Sequence, residues 1–232
     1  MKKKTMLATI LMLVMTFAIF ANSVVGIRLS PRERLVSREL TEITTFDEGV
    51  VGWKTFSLPF AATISKDDIR VTHNGIVLTL QEAHNQNILS NYIYVFDTVD
   101  NRWAFTTILE PGKAYMIPVS VSDDVTLSAV GTFTDGSEPI ILQKGWNYFG
   151  LPTTDQVTVS TLKFSCEELD LSDLDIYAAH GTLVNKYFWH LTNGNPFYDF
   201  VDLDNDAIVP GDGYCIYSYA DNVEMSFVPI FN

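Results

Sequence analysis

The sequence predicts an all-β protein made of two tandem antiparallel β-sandwich or barrel-like modules related by internal duplication. Three observations lead there. Gly52-Trp53-Lys54-Thr55-Phe56-Ser57-Leu58-Pro59 recurs as Gly145-Trp146-Asn147-Tyr148-Phe149-Gly150-Leu151-Pro152. Val, Ile, Thr and aromatic residues dominate the periodic stretches, a composition that suits a pleated, half-buried surface. Turn pairs then punctuate those stretches, at Asn74-Gly75, Pro111-Gly112 and Pro210-Gly211.

Taken in order, the chain opens with a secretory pattern over residues 1–23. Lys2, Lys3 and Lys4 precede an apolar run, Met6 to Ala21, broken only by Thr9 and Thr16, and Ala21-Asn22-Ser23 offers small residues for cleavage. An uncleaved N-terminal anchor is the alternative, and the only route by which this reading brings the chain to a membrane. No Cys follows the run to carry a lipid, and Met225 to Asn232 carries no second hydrophobic span. The expected location is therefore extracellular or at the cell surface.

Residues 24–45 read as a basic extended arm. Arg28, Arg32, Arg34 and Arg38 lie here, against Glu33 and Glu39, with too few apolar residues to fold alone. From Thr41 onward 26 Asp and Glu face 8 Lys and Arg. An acidic body disfavours nucleic acid, whose phosphates need a basic surface to neutralise them. It suits divalent cations, cationic surfaces or the arm of another copy.

The first module is expected over residues 46–137 and the second over 138–232. Gly before Trp allows a sharp entry into a strand, and Leu-Pro ends it because Pro has no N–H to donate. Trp53 and Trp146 hold equivalent positions, which argues for core packing. Ile69 to Leu78 places two β-rich runs around Asn74-Gly75, a hairpin signal. Thr79 to Asn87 is the one helical stretch, with an acidic counterpart around Glu167 to Asp175. An aromatic strand followed by Trp comes next, Tyr92 to Phe96 before Trp103 and Ile176 to Ala179 before Trp189. Each copy closes on a Pro-Gly turn feeding a strand, Leu109 to Ile117 and Ile208 to Ile216. Trp103 lies 8 residues before Pro111 but Trp189 lies 21 before Pro210, which predicts a loop insertion, His190 to Asp206, in the second copy.

This series of Gly-Trp-Asn…Leu-Pro, Asn-Gly hairpin, aromatic strand, and Leu-x-Pro-Gly-x-Gly-Tyr resembles a β module of secreted and cell-surface proteins of archaea and some bacteria. The resemblance covers most of residues 50 to 228, twice. Ala114 departs from it where Gly is usual, and Met116 where Trp is frequent. It implies a surface or extracellular role and supplies no catalytic residues.

Candidate chemistry concentrates in the second copy. Asp202, Asp204 and Asp206 alternate in the loop, so their oxygens can converge on one Ca²⁺. Ala207 and Gly213 stand where an EF-hand needs Gly and a bidentate Glu, so that motif is excluded, and a solvated acidic loop competes with a Ca²⁺ site completed by Asp199 or Asp212. No other cofactor is expected. Phe197, Tyr198 and Phe200 form either an exposed platform for sugar rings or a protein, or a satellite core under the loop. Cys166 and Cys215, in an oxidising compartment, are a disulfide pair or two buried small residues. The four His show no metal spacing, and no nucleophile or phosphate-loop motif occurs, so an enzyme is not expected.

Two functions follow as expectations. The first is a non-catalytic structural protein of the cell surface, self-assembling through the arm into a filament, sheath or layer, or associating with other cell-surface proteins. The second is a soluble carbohydrate- or protein-binding module using the aromatic residues of the second copy.

Overall fold

The computed structural model describes residues 35–36, 40–49, 51–133, 138–192, 198–202 and 206–227. The signal segment, Arg28, Arg32, Arg34, Arg38, Phe197 and Asp204 lie outside these residues. Among the described residues no helix is long and apolar enough to cross a membrane.

The fold is almost wholly antiparallel β. Module 1 contributes β1 (Leu35–Val36), β2 (Thr41–Phe46), β3 (Gly52–Ser57), β4 (Ile64–Ser65), β5 (Arg70–His73), β6 (Ile76–Thr79), β7 (Ile93–Asp97), β8 (Arg102–Thr106), β9 (Ile108–Leu109), β10 (Ala114–Val119), β11 (Val125–Ala129) and β12 (Thr132–Phe133). Module 2 contributes β13 (Ile140–Leu142), β14 (Gly145–Phe149), β15 (Val157–Thr158), β16 (Lys163–Cys166), β17 (Leu171–Leu174), β18 (Trp189–Leu191), β19 (Tyr198–Phe200), β20 (Ala207–Ile208), β21 (Tyr214–Ser218) and β22 (Val223–Ser226).

The duplication is visible in the strand orders. Module 1 has sheets β3-β10-β7-β8 and β2-β11-β5-β6; module 2 has β14-β21-β18-β19 and β13-β22-β16-β17, the same order strand for strand. The small pairs β4–β9 and β15–β20 also correspond. In each module both sheets feed one core. Phe56, Ile93, Tyr115, Val71 and Leu127 meet in the first, and Phe149, Tyr214, Ile216, Phe164 and Met225 in the second. Full burial of such a side chain contributes about 1.5–3 kcal/mol.

Local chemistry sets the turns. Asn74 and Gly75 both have positive φ, 50° and 75°, as a two-residue hairpin turn requires, and they close the His73–Ile76 pair. Gly112 and Gly211 follow Pro at φ 78° and 88°. The phenol three residues further on locks each turn. Tyr115 donates to the carbonyl of Glu110 at 3.0 Å and accepts from its N–H, while Tyr214 accepts from the Val209 N–H at 2.9 Å. The expected helix forms over Leu80–Asn85, where Thr79 and Glu82 make a capping box.

Several expectations need correction. Ile176–Ala179 is a short helix capped by Asp175, the counterpart of Leu80–Asn85 and not an aromatic strand. The aromatic strand of module 2 is β18, and register gives the true equivalences. Tyr94 pairs with Met116 and Phe105, as Trp189 pairs with Cys215 and Phe200. Trp103 lies opposite Phe96, as Tyr198 lies opposite Leu191. Trp189 therefore corresponds to Tyr94, and Trp103 to Tyr198. Most of the stretch expected as an insertion is the β18–β19 hairpin, which matches β7–β8 in length, Tyr94 to Phe105 and Trp189 to Phe200 both spanning 11 residues. The insertion is four residues and falls between Phe200 and Ala207, since Phe105 precedes Ile108 by 3 and Phe200 precedes Ala207 by 7.

Trp53 and Trp146 are not core residues either. They are 47% and 38% exposed, because strand alternation turns them away from Phe56 and Phe149, which are 0% and 1% exposed. The arm is also shorter than composition suggested. Thr41 to Thr45 belong to the sheet strand β2, paired with β11, and β1 pairs with β12 of the same chain.

The modules dock through the outer faces of β3-β10 and β14-β21. Ser57 donates its N–H to the Gly211 carbonyl at 2.8 Å, and its counterpart Gly150 donates to the Gly112 carbonyl at 3.3 Å. Thr55 donates its hydroxyl to the Leu191 carbonyl at 2.6 Å, and the counterparts Tyr148 and Phe96 meet with ring centroids 4.5 Å apart. Both of these contacts have a reciprocal partner, as an approximate twofold relation between the modules gives. Ala114, Leu191 and Cys215 form a small apolar cluster between the two sheets.

Candidate functional site

Docking covers only part of the β14-β21-β18-β19 face. The rest is paved with rings where a sandwich exposed to water would ordinarily carry polar side chains. Trp146 and Tyr148 alternate with buried Asn147 and Phe149 along β14, so both point outward. Trp189 on β18 and Tyr198 on β19 lie beside them, and Cys215 on β21 forms the floor. Together these five residues line an open hollow of about 400 Å³.

Its walls are held on several sides. Tyr148 packs against Phe96 and Trp103 of module 1, with centroids 4.5 and 4.9 Å away. Its hydroxyl lies 3.4 Å from that of Tyr198. Trp189 meets Phe200 edge-on at 5.9 Å, and Trp146 meets Tyr217 edge-on at 5.4 Å. Cys215 is 2% exposed, and burial pushes the pKa of its thiol up to about 12, which keeps it neutral and unreactive. Burial also raises the Tyr148 phenol above its ordinary range, helped by the neighbouring Tyr198 hydroxyl.

The residues anticipated from sequence are distributed unevenly around this hollow. Tyr198 and Phe200 are exposed, at 41% and 46%, on the edge strand β19, so they form a surface and not a satellite core. Tyr198 lines the hollow; Phe200 supports Trp189 from the side and meets Tyr187 at 5.7 Å. Asp206 accepts from the Asp202 N–H at 2.6 Å and donates its own N–H to the Asp202 carbonyl at 2.9 Å, so its carboxylate closes the loop. Asp199 accepts from the N–H of Phe200, and Asp212 faces the His190 ring at 3.2 Å. Among the described residues no group of three or more His, Cys, Asp or Glu is placed to hold a metal ion.

Cys166 and Cys215 are both free. The disulfide alternative fails because the two side chains lie in different clusters. Cys166 points into the module 2 core and donates to the Asp221 carbonyl at 3.7 Å, while Cys215 faces the module junction.

Trp146, Tyr148 and Trp189 escaped the sequence reading. Equivalence of Trp146 with Trp53 suggested a core role, yet period-two alternation with Phe149 already places Trp146 and Tyr148 on the opposite face. Trp189 had no such signal, since its neighbours on the sheet come from distant stretches of chain.

Module 1 carries the same arrangement in outline. Trp53, Tyr94, Phe105 and Tyr92 follow one another across its outer face with centroid spacings of 5.2, 4.9 and 5.1 Å. Thr55 and Met116 replace Tyr148 and Cys215 there, and Thr55 is buried against module 2. No family model, curated protein or solved structure matches the chain.

Proposed function

We propose that this chain is a non-catalytic binding protein of the cell exterior, in which two docked β modules hold an aromatic surface rigid for a ligand. The observation that carries this reading is the hollow between Trp146, Tyr148, Trp189 and Tyr198. Large rings on the outer face of a sheet are costly to leave in water, and small-molecule sites are characteristically concave and aromatic-lined. Support for an exterior location comes from the basic start and apolar run at the N-terminus and from the resemblance to surface modules. The candidate occupants are carbohydrate, a partner protein, or a small ligand of matching chemistry.

Tryptophan fluorescence tests the reading, because two indoles line the site. The mature chain is titrated with neutral oligosaccharides, short peptides and small organic cations. At least one class is expected to give a saturable change that Trp146→Ala/Trp189→Ala/Tyr198→Ala abolishes while the urea midpoint stays that of a folded protein. Saturation unaffected by the triple substitution, or none with any class, overturns the reading.

Self-assembly into a surface structure is favoured by a separate observation. The edge strand β6 exposes Ile76 and Val77 at 61% and 55%. Its counterpart β17 is blunted by Ser172, Asp173 and a register shift against β16. Unprotected apolar edges invite strand pairing between chains. Light scattering and electron microscopy should show multimers that Val77→Lys reduces to monomers; a wild-type chain that stays monomeric over a wide concentration range counts against assembly.

A further inference from the structure

The chemistry of the hollow narrows its occupant, on the premise that it is a binding site. We propose that it takes a small quaternary ammonium group of the choline type, held by cation–π attraction. Trp146, Tyr148, Trp189 and Tyr198 present four electron-rich rings around one space of about 400 Å³, within the size range of small-ligand sites, roughly 300–1,000 Å³. The faces of such rings are negative, and Trp is the strongest partner for a cation.

Hydrogen-bonding capacity argues against the obvious competitor, a pyranose. Beyond the indole N–H groups of Trp146 and Trp189, which only donate, the lining offers two hydroxyls, those of Tyr148 and Tyr198, and these lie 3.4 Å from each other. A sugar entering here would strip water from several hydroxyls with few partners to replace it, a loss for each one. A fully alkylated ammonium has no N–H to satisfy, so an apolar, π-rich lining costs it least.

The field of the chain has the matching sign. From Thr41 onward 26 acidic residues face 8 basic ones, so anions are repelled and cations concentrated near the surface. The same ring cluster also holds a cation of the chain's own. Lys186 sits with its ammonium 5.5 Å from the Tyr187 ring, Tyr187 meets Phe200, and Phe200 meets the hollow residue Trp189.

The test compares choline with its uncharged isostere, in which a quaternary carbon replaces the nitrogen, by tryptophan fluorescence and calorimetry on the full chain at low salt. Choline is expected to saturate, with the isostere weaker by about tenfold or more, the order of a desolvated cation–π contact. Trp189→Leu and, independently, the edge-strand change Tyr198→Leu should each weaken choline binding while unfolding in urea remains cooperative. A peptide carrying trimethyl-lysine and vesicles with choline headgroups separate a free solute from a tethered source of the same group. Equal binding of choline and isostere overturns the cationic assignment and leaves the hollow as an apolar site. Saturation by an oligosaccharide but not by choline does the same. Saturation by nothing overturns both this assignment and the reading beneath it.

Discussion

Ser57 and Gly150, equivalent positions of the two copies, meet each other across the module junction. A Cβ placed on Gly150 would overlap the Ser57 side chain and lie 2.9 Å from the Asp212 carbonyl oxygen. Ala114 and Gly213 repeat the pattern, since a Cβ on Gly213 would lie 3.2 Å from that of Ala114. At the first pair there is room for one Cβ and not two, and at the second a further Cβ would be tighter than ordinary contact. This explains why one copy keeps Gly where the other carries Ser or Ala, including the departure at Ala114.

Gly150→Ala should therefore strain the junction. The expected loss is about 1–3 kcal/mol, the usual cost of overpacking, read as a lower urea midpoint. Ser57→Gly in the same chain should recover part of it, because the overlapping atoms are then gone. Equal losses in the single and double variants would show that the junction is not what Gly150 serves.

Ser57→Ala should act in the opposite direction. The Ser57 hydroxyl is fully buried and has no hydrogen-bond partner. An unsatisfied buried polar group costs about 1–3 kcal/mol, so its removal should raise the urea midpoint with no change in slope.

The two turn-locking phenols should differ in weight. Tyr115 serves both the N–H and the carbonyl of Glu110, whereas Tyr214 serves the N–H of Val209. Tyr115→Phe should cost about 1–3 kcal/mol by stranding two peptide groups, and Tyr214→Phe about 1 kcal/mol. Thermal unfolding of the two variants against wild type checks the order.

Stability should fall in alkali. Burial raises the Cys215 thiol from 9.0 to about 12 and raises the phenols of Tyr115, Tyr148 and Tyr214 above their ordinary 10.0. The folded chain thus holds protons that the unfolded chain releases, so the contribution of Cys215 is complete below pH 9 and is lost as pH rises from 9 towards 12, with the phenols adding to the loss from about 10 upward. The urea midpoint should decline over that window, less steeply in Cys215→Ala. In a Cys166→Ala background, Cys215 should resist alkylation at neutral pH until the chain unfolds. A midpoint unchanged through pH 12 would contradict the burial of these groups.

Much of the fold was legible because its signals are local. Asn74-Gly75, the Pro-Gly turns and the capping residues Thr79 and Glu82 act within a few residues of themselves, and the Pro-Gly turns recur with the repeat. The hollow was legible only in part. Tyr198 and Phe200 stood out as surplus aromatics, but Trp103 was matched to Trp189 by order along the chain, when sheet register matches it to Tyr198. Which face a ring occupies depends on register, and one residue of slip exchanges the faces.

By itself, then, the sequence determined an all-β chain, its duplication and its turns, since backbone preference and period-two patterning are properties of short segments. Tertiary structure alone decided that the copies dock about an approximate twofold, that Ser57 and Gly150 share one space, and that Trp146, Tyr148, Trp189 and Tyr198 converge. Those relations join residues up to 93 positions apart. They arise from strand pairing and close packing between modules, which no local pattern encodes.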